Sequence, residues 1–156
     1  MRGPEAKLYQ KFKRLNPNII WNRIENLSIP GMPAALGYNK NHFYFTVEFK
    51  VTKGNKVRLS PHQIAYHVAH PYHSFICVQH LGSGTVKLYE GSVVRELVAC
   101  GLKLEPCSLG LEACSLYLAE LGAWCLWLRP LMSTQKFWAM GTLLVPIHLF
   151  AVIVQF

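Results

Sequence analysis

Residues 43–51 read FYFTVEFKV, and this stretch carries the clearest pattern in the chain. Successive side chains of a β-strand point to opposite faces of its sheet. Apolar side chains recur here at every second position, namely Phe43, Phe45, Val47, Phe49 and Val51. The stretch therefore predicts a strand with one wholly apolar face. Glu48 and Lys50 lie on the other face, which is where we expect the chemistry of the protein.

Outward from this strand, helical and extended patterns alternate. The predicted elements are, in chain order, a basic amphipathic helix over 4–17, an extended segment over 19–27, a short apolar run over 34–38, a helix over 61–69, strands over 74–80 and 85–89, and a helix over 92–100. Ser60 and Gln63 form a capping-box pattern at the start of the second helix. Ser92 and Gly101 are predicted to cap the third helix. This order predicts a small mixed α/β domain.

The acidic residues of the chain are all glutamates. Sixteen Lys and Arg against eight Glu give the 156 residues a net charge of +8, and there is no aspartate. That absence excludes an aspartic-protease dyad, a Ser-His-Asp triad and an EF-hand loop, because each requires Asp.

The net charge lies in the front of the chain. Residues 1–106 carry fourteen basic and six acidic side chains, whereas residues 107–156 carry two of each. We therefore predict a basic domain over 1–106 and an apolar, helical C-terminal extension over 107–156. A basic domain favours a polyanionic partner, either nucleic acid or an anionic membrane surface.

The apolar extension leaves two alternatives open. Residues 137–156 have no charged side chain and match the length of a transmembrane helix. Pro146 and His148 in the middle of that stretch favour helices that pack on the domain or form a dimer contact. No secretory signal opens the chain, and its five cysteines include no C-x-x-C pair. We therefore expect reduced thiols in a cytoplasmic protein.

The histidines give little support to a zinc site. His67, His70 and His73 are spaced by threes, with His62 upstream. Pro71 is expected to end the helix before His73, and no cysteine lies at zinc-ligand spacing. A polar helix face near DNA, partly protonated below about pH 6.5, is the favoured interpretation.

The pair Glu48-x-Lys50 is the strongest local signal for chemistry. Residues two apart on a strand lie about 6.6 Å apart and point the same way. A carboxylate there can hold a hard cation, and an ammonium beside it can position water or balance the charge of a phosphate. A charge pair on a solvated sheet face is the alternative.

Four short motifs lie in a fixed order along the chain. They are Arg23-x-Glu25-Asn26, Gly31-Met32-Pro33, Glu48-x-Lys50 and Leu59-Ser60-x-x-Gln63. Together they resemble the PD-(D/E)XK nuclease superfamily, specifically its VRR-NUC and phage Holliday-junction-resolvase-like members. The resemblance covers roughly residues 4–100. It implies a restriction-endonuclease-like αβββαβ core with a central mixed sheet.

The resemblance also assigns roles to residues. It makes Glu48 a ligand of Mg²⁺ or Mn²⁺, together with the backbone carbonyl of Phe49. Lys50 would orient the attacking water or stabilise charge at the scissile phosphate, and Glu25 would be an auxiliary carboxylate. Gln63 would lie close to the site, and its capping role can coexist with that position.

The chain departs from the family pattern at Ala34. The pattern places an aspartate directly after Pro33, where the carboxylate bridges the metal and the phosphate. Loss of one carboxylate weakens the binding of a hard divalent ion. Three explanations are compatible with alanine at this position. The chain is an engineered inactive variant, it is a natural pseudo-nuclease, or Glu25 compensates for the missing carboxylate.

The basic residues suggest contact with the DNA backbone. Lys53, Lys56 and Arg58 cluster after the strand, and Lys11 and Arg14 lie on the first helix at positions that its apolar side chains, Leu8, Phe12 and Leu15, leave open. A solvated helix face is equally consistent with the helical group. The resemblance implies a DNA endonuclease of phage or bacterial type, and it is compatible with branched or structured DNA as the substrate and with a homodimer. A DNA-binding pseudo-nuclease and a basic membrane-associated protein are the alternatives.

Overall fold

A computed structural model describes residues 3–24 and 30–123 of the chain. Its helices and strands are α1 (Pro4–Leu15), β1 (Ile20–Arg23), β2 (Ala35–Tyr38), β3 (Tyr44–Thr52), α2 (Pro61–Ala69), β4 (Ser74–His80), β5 (Val86–Glu90), α3 (Val94–Cys100), β6 (Ser108–Leu109) and α4 (Leu111–Glu120). The predicted α/β class and the order of the predicted elements are confirmed. Within the predicted segment 19–27, the described strand is limited to Ile20–Arg23.

The six strands within the described residues form one mixed sheet in the order β1-β2-β3-β4-β5-β6. Strands β3 and β4 pair in parallel, and the other pairs are antiparallel. Parallel neighbours need a crossover connection, which α2 provides between them. The chemically rich strand β3 therefore lies inside the sheet, with β2 on one side and β4 on the other.

One face of the sheet packs against α1 and α4. Phe45, Val47 and Phe49 of β3 join a buried cluster with Leu8 and Phe12 of α1. The predicted apolar face of β3 is therefore confirmed. Of the apolar residues that define the amphipathic pattern of α1, Leu15 is 42% exposed, and Tyr9 is instead the third buried residue of the helix.

The opposite face holds α2 and α3. Ile76, Val78 and Tyr89 of the sheet form a second buried cluster with Val94 and Leu97 of α3. Glu48 and Lys50 point to this face, because they alternate with Phe49 along β3.

The third helix begins differently from its prediction. Gly91–Val93 forms a 3₁₀ turn, and α3 starts at Val94. The Ser92 hydroxyl donates to the Glu90 carboxylate instead of accepting from the helix backbone. The predicted cap at Ser92 is wrong, whereas Gly101 ends α3 with a φ of +63°.

Part of the predicted C-terminal extension packs with the domain. Strand β6 pairs with β5, and Cys114 and Leu118 of α4 join the α1-side core. The first compact unit of the chain extends through Ala123, beyond the boundary predicted after residue 106. The apolar segment 137–156 lies outside the described residues. Over residues 3–24 and 30–123, no helix has the length and apolar character needed to cross a bilayer.

Candidate functional site

Glu48 is a buried carboxylate in the middle of the sheet. Its relative exposure is 5%, so it does not lie on a solvated sheet face. Oε2 accepts a hydrogen bond from the backbone N–H of Ala34 over 3.0 Å. Oε1 accepts from Gln63 Nε2 over 2.6 Å and forms an ion pair with Lys50 Nζ at 3.1 Å. The structure thus brings together four of the predicted site positions, 34, 48, 50 and 63.

The turn before β2 determines where residue 34 lies. Gly31 has a φ of +92°, a conformation that side chains with a Cβ rarely adopt. A Cβ added there would lie 2.5 Å from the carbonyl oxygen of His62, in the first turn of α2. Glycine therefore permits the close approach of this turn to α2, and Ala34 follows immediately before β2, beside Glu48.

Gln63 has two roles in the structure. Its side-chain oxygen, Oε1, accepts a hydrogen bond from the backbone N–H of Ser60. The backbone N–H of Gln63 donates in turn to the Ser60 hydroxyl. This reciprocal pair is the predicted capping box. The side-chain nitrogen, Nε2, takes no part in the capping box and donates to Glu48, so the capping and site roles coexist. The capping geometry holds the Gln63 amide against the carboxylate.

Opposing effects act on the pKa of Glu48, and burial is the largest of them. Burial raises the pKa of the carboxyl above its ordinary value. The ammonium of Lys50 and the N–H of Ala34 limit that rise, whereas the negative charge of Glu5 adds to it. Desolvation is the largest of these effects, so the folded protein carries a carboxyl that is more basic than a free glutamate.

A basic cleft adjoins this group. The cavity has a volume of about 600 Å³ and is bordered by four basic side chains and one acidic side chain, namely Lys50, Lys53, Lys56, Arg58 and Glu5. We use the name basic cleft for this cavity. The excess of positive charge and the open access of the loop residues suit an anionic ligand. Three predicted DNA-contacting residues, 53, 56 and 58, therefore share one cavity with Lys50.

Glu5 is a site residue that the sequence analysis missed. It lies in the first turn of α1, where an acidic side chain is common because it interacts favourably with the helix dipole. Only the packing of α1 on the sheet brings it to the basic cleft. Nothing in its local sequence distinguishes it from an ordinary N-terminal helix residue.

Other predicted site residues lie elsewhere. Lys11 and Arg14 are exposed on α1, and neither borders the basic cleft. Helix α1 packs on the sheet face opposite Glu48. Glu25 lies outside the described residues. Phe49 is a core residue of β3, and its side chain points away from Glu48.

The described residues fit a protein-held divalent ion poorly. Glu48 is a single buried carboxylate, and both of its oxygens already have protein partners. Ala34 contributes a methyl group beside it. Within residues 3–24 and 30–123, no group of three or more His, Cys, Asp or Glu has the arrangement of a metal site. Mg²⁺ is usually held by one or two carboxylates together with waters and substrate phosphates.

The prediction that His67 belongs to a polar helix face, partly protonated below about pH 6.5, is wrong. This side chain is fully buried, and Nδ1 lies 2.9 Å from the Ser74 hydroxyl. The hydroxyl donates to the carbonyl of His70, so it accepts from Nδ1–H. Burial lowers the pKa of His67 to about 4, and the neighbouring His70 contributes to the decrease. His67 is therefore neutral at physiological pH and belongs to the interior.

No known protein-family model matches the chain, and no curated protein matches its sequence significantly. The resemblance to nucleases is therefore supported by the motif residues and by their order along the chain.

Proposed function

We propose that the chain is a DNA-binding domain of PD-(D/E)XK nuclease type, in which Ala34 limits hydrolysis of phosphodiester bonds. The observation that carries this proposal is the buried Glu48 carboxylate, held by Ala34, Gln63 and Lys50 next to a basic cleft. A purely structural ion pair has no need of a cavity lined with further positive charge.

The element order adds support. The described chain runs α1, β1, β2, β3, α2, β4, with β3 and β4 parallel. This order is the αβββαβ sequence that the resemblance implies. The turn at Gly31 approaches His62 of α2, and the residue after the first motif, Ala34, meets Gln63 of the last motif at Glu48.

DNA binding follows from the charge of the basic cleft. Lys53, Lys56 and Arg58 lie in the loop after β3, with Lys50 on the strand itself. Cationic side chains neutralise phosphates irrespective of base sequence. We propose that the DNA backbone enters this cleft and brings a phosphate next to Lys50.

Hydrolysis is limited by the donor set at residue 34. The backbone of Ala34 already contacts Glu48, so a carboxylate on residue 34 would lie beside that of Glu48. Two adjacent carboxylates form an oxygen-rich site that suits Mg²⁺ or Mn²⁺. With alanine the second carboxylate is missing, and this observation favours a DNA-binding pseudo-nuclease as the second candidate function.

A plasmid-cleavage assay tests the proposal. The wild-type chain, Ala34→Asp and the matched neutral variant Ala34→Asn are compared with Mg²⁺ and with Mn²⁺. We expect Ala34→Asp to convert supercoiled or branched DNA into nicked or cut products, and Ala34→Asn to resemble the wild type. If a folded Ala34→Asp variant binds DNA and leaves it intact, the nuclease-type site is contradicted. Wild-type binding without cleavage in the same assay favours the pseudo-nuclease.

A further inference from the structure

A second cavity lies on the same sheet face as Glu48, at the other end of β3. It has a volume of about 180 Å³ and is lined mainly by aromatic rings, those of Tyr44, Tyr66, His70, Tyr72 and His73 among them. We call this cavity the aromatic pocket. Among residues 3–24 and 30–123, no Lys, Arg or Glu borders it. Its chemistry is therefore different from that of the basic cleft.

Two tyrosines of the aromatic pocket are highly exposed, and several of its rings are in contact with a neighbouring ring. Tyr44 is 62% exposed and Tyr72 is 69% exposed. Tyr38 and Tyr44 have ring centroids 4.4 Å apart, and Tyr66 stacks on His70 at 4.3 Å with an interplanar angle of 21°. Neither exposed tyrosine belongs to the two buried clusters of the sheet. Two large aromatic faces thus remain available to a ligand.

The position of the pocket connects it with the site. Tyr44, Glu48 and Lys50 alternate on one face of β3, so Tyr44 lies about 20 Å from Lys50 along the strand. The basic cleft borders the Lys50 end, and the aromatic pocket borders the Tyr44 end. A ligand that spans the two cavities meets aromatic rings at one end of the strand and a group of cations at the other, with the buried Glu48 between them.

We propose that the aromatic pocket binds unpaired bases of a DNA strand by stacking, while the basic cleft binds phosphates of the same strand. This inference deepens the proposed function and depends on it. Nucleobases are flat, uncharged and aromatic, so they suit a pocket lined by tyrosines and histidines without Lys, Arg or Glu. Phosphates suit the cations at the other end of the strand. Paired bases are stacked inside a duplex and do not expose their faces, so the pocket selects single-stranded or splayed DNA.

Fluorescence anisotropy with three labelled probes tests the inference. The probes are a short single strand, a strand of the same length with abasic sites in place of bases, and a duplex. The proteins are the full chain, Tyr44→Ala, Tyr72→Ala and the conservative variants Tyr44→Phe and Tyr72→Phe. Leu116→Ala is the matched control, because Leu116 is 60% exposed on α4, which packs on the opposite sheet face.

We expect each tyrosine-to-alanine variant to weaken binding of the base-containing strand about tenfold. Binding of the abasic strand should change little, because that strand keeps its phosphates. The phenylalanine variants should bind as the wild type does, since stacking needs the ring and not the hydroxyl. Leu116→Ala should bind all three probes normally.

Two results overturn stacking and leave the proposed function intact. The first is that the full chain binds the base-containing and abasic strands with equal affinity. The second is that Tyr44→Ala and Tyr72→Ala both bind the base-containing strand as tightly as the wild type does. In both cases Ala34→Asp still cuts DNA. A third result also overturns it: if the alanine variants change only self-association in sedimentation, the pocket is a protein interface. Failure to bind any probe contradicts both the inference and the proposed function.

Discussion

The backbone N–H of Ala34 donates to Oε2 of Glu48 over 3.0 Å, which fixes residue 34 directly beside a buried carboxylate. The contact joins the residue that precedes β2 to β3, at the point where the nuclease pattern expects two carboxylates. It gives Glu48 one strong partner from the backbone, and that partner is independent of the side chain at residue 34.

The titration of Glu48 should show the effect of its burial. We expect the pKa of Glu48, followed by ¹³C NMR of its carboxyl carbon, to lie above 4.5. Lys50→Gln should raise it further, because Lys50 favours the ionised form. Lys53→Gln, which removes the same charge from the loop, is the matched control and should have a smaller effect. A value at or below that of a free glutamate would contradict this account of the site.

The same shift fixes the sign of a stability effect. Because the pKa of Glu48 is higher in the folded chain, its stabilising contribution is complete below the unfolded value and is lost as the pH rises through the folded value. Glu48→Gln, which mimics the protonated form, should therefore unfold at a higher urea concentration than the wild type at pH 7. Lower stability of this variant at pH 7 would show that the ion pair with Lys50 outweighs desolvation.

The two roles of Gln63 can be separated by substitution. Ser60→Ala removes the hydroxyl that caps α2 and should cost about 1 kcal/mol of unfolding free energy, without shifting the pKa of Glu48. Gln63→Glu can keep the capping contact but places a second carboxylate against Glu48, so it should raise that pKa. Urea unfolding and NMR titration of the two variants measure both effects. A Gln63→Glu variant with an unchanged Glu48 titration would show that the two side chains do not interact.

The basic cleft predicts a specific salt dependence of duplex binding. Lys53→Gln and Lys56→Gln should each reduce the slope of log K against log salt concentration by about 0.9, because each removes one phosphate contact. Lys11→Gln removes the same charge from the outer surface of α1, away from the cleft, and should leave the slope unchanged. If Lys11→Gln has the largest effect, DNA binds to α1 instead.

His67 should make stability depend on pH in the acidic range. Folding lowers its pKa from 6.5 to about 4, so its neutral form stabilises the fold above pH 6.5. That contribution, about 3 kcal/mol, is lost as the pH falls from 6.5 to below 4. Urea unfolding across this range should show a steeper loss for the wild type than for His67→Gln. Parallel pH profiles for the two proteins would contradict the buried, neutral assignment.

The parts of the fold that depend on neighbouring residues were predictable from sequence. The two-residue alternation around Glu48 predicted a strand with one apolar face, and β3 has that face. The pair Ser60 and Gln63 predicted a capping box, which is present. Both signals lie within a few residues, so their physical cause is contained in the local sequence. The meeting of Gln63 with Glu48 was expected from the resemblance and not from spacing.

The rest depends on contacts between distant parts of the chain. Glu5 reaches the basic cleft because α1 packs across the sheet, and no local pattern reports that packing. The spacing of His67 and His70 suggested a polar helix face, yet His67 is buried against Ser74 of β4. Ser92 is a residue type that often caps helices, but its hydroxyl donates a hydrogen bond to the Glu90 carboxylate, and a 3₁₀ turn precedes α3.

Binding of Mn²⁺ to Ala34→Asp, followed by electron paramagnetic resonance, tests the central claim most directly. The claim is that residue 34 and Glu48 are the two carboxylate positions of one nuclease-type site. We predict that Ala34→Asp binds Mn²⁺ more tightly than Ala34→Asn, and that adding Glu48→Gln removes the gain. Equal Mn²⁺ binding by Ala34→Asp and Ala34→Asn, or a gain that persists without Glu48, would contradict it.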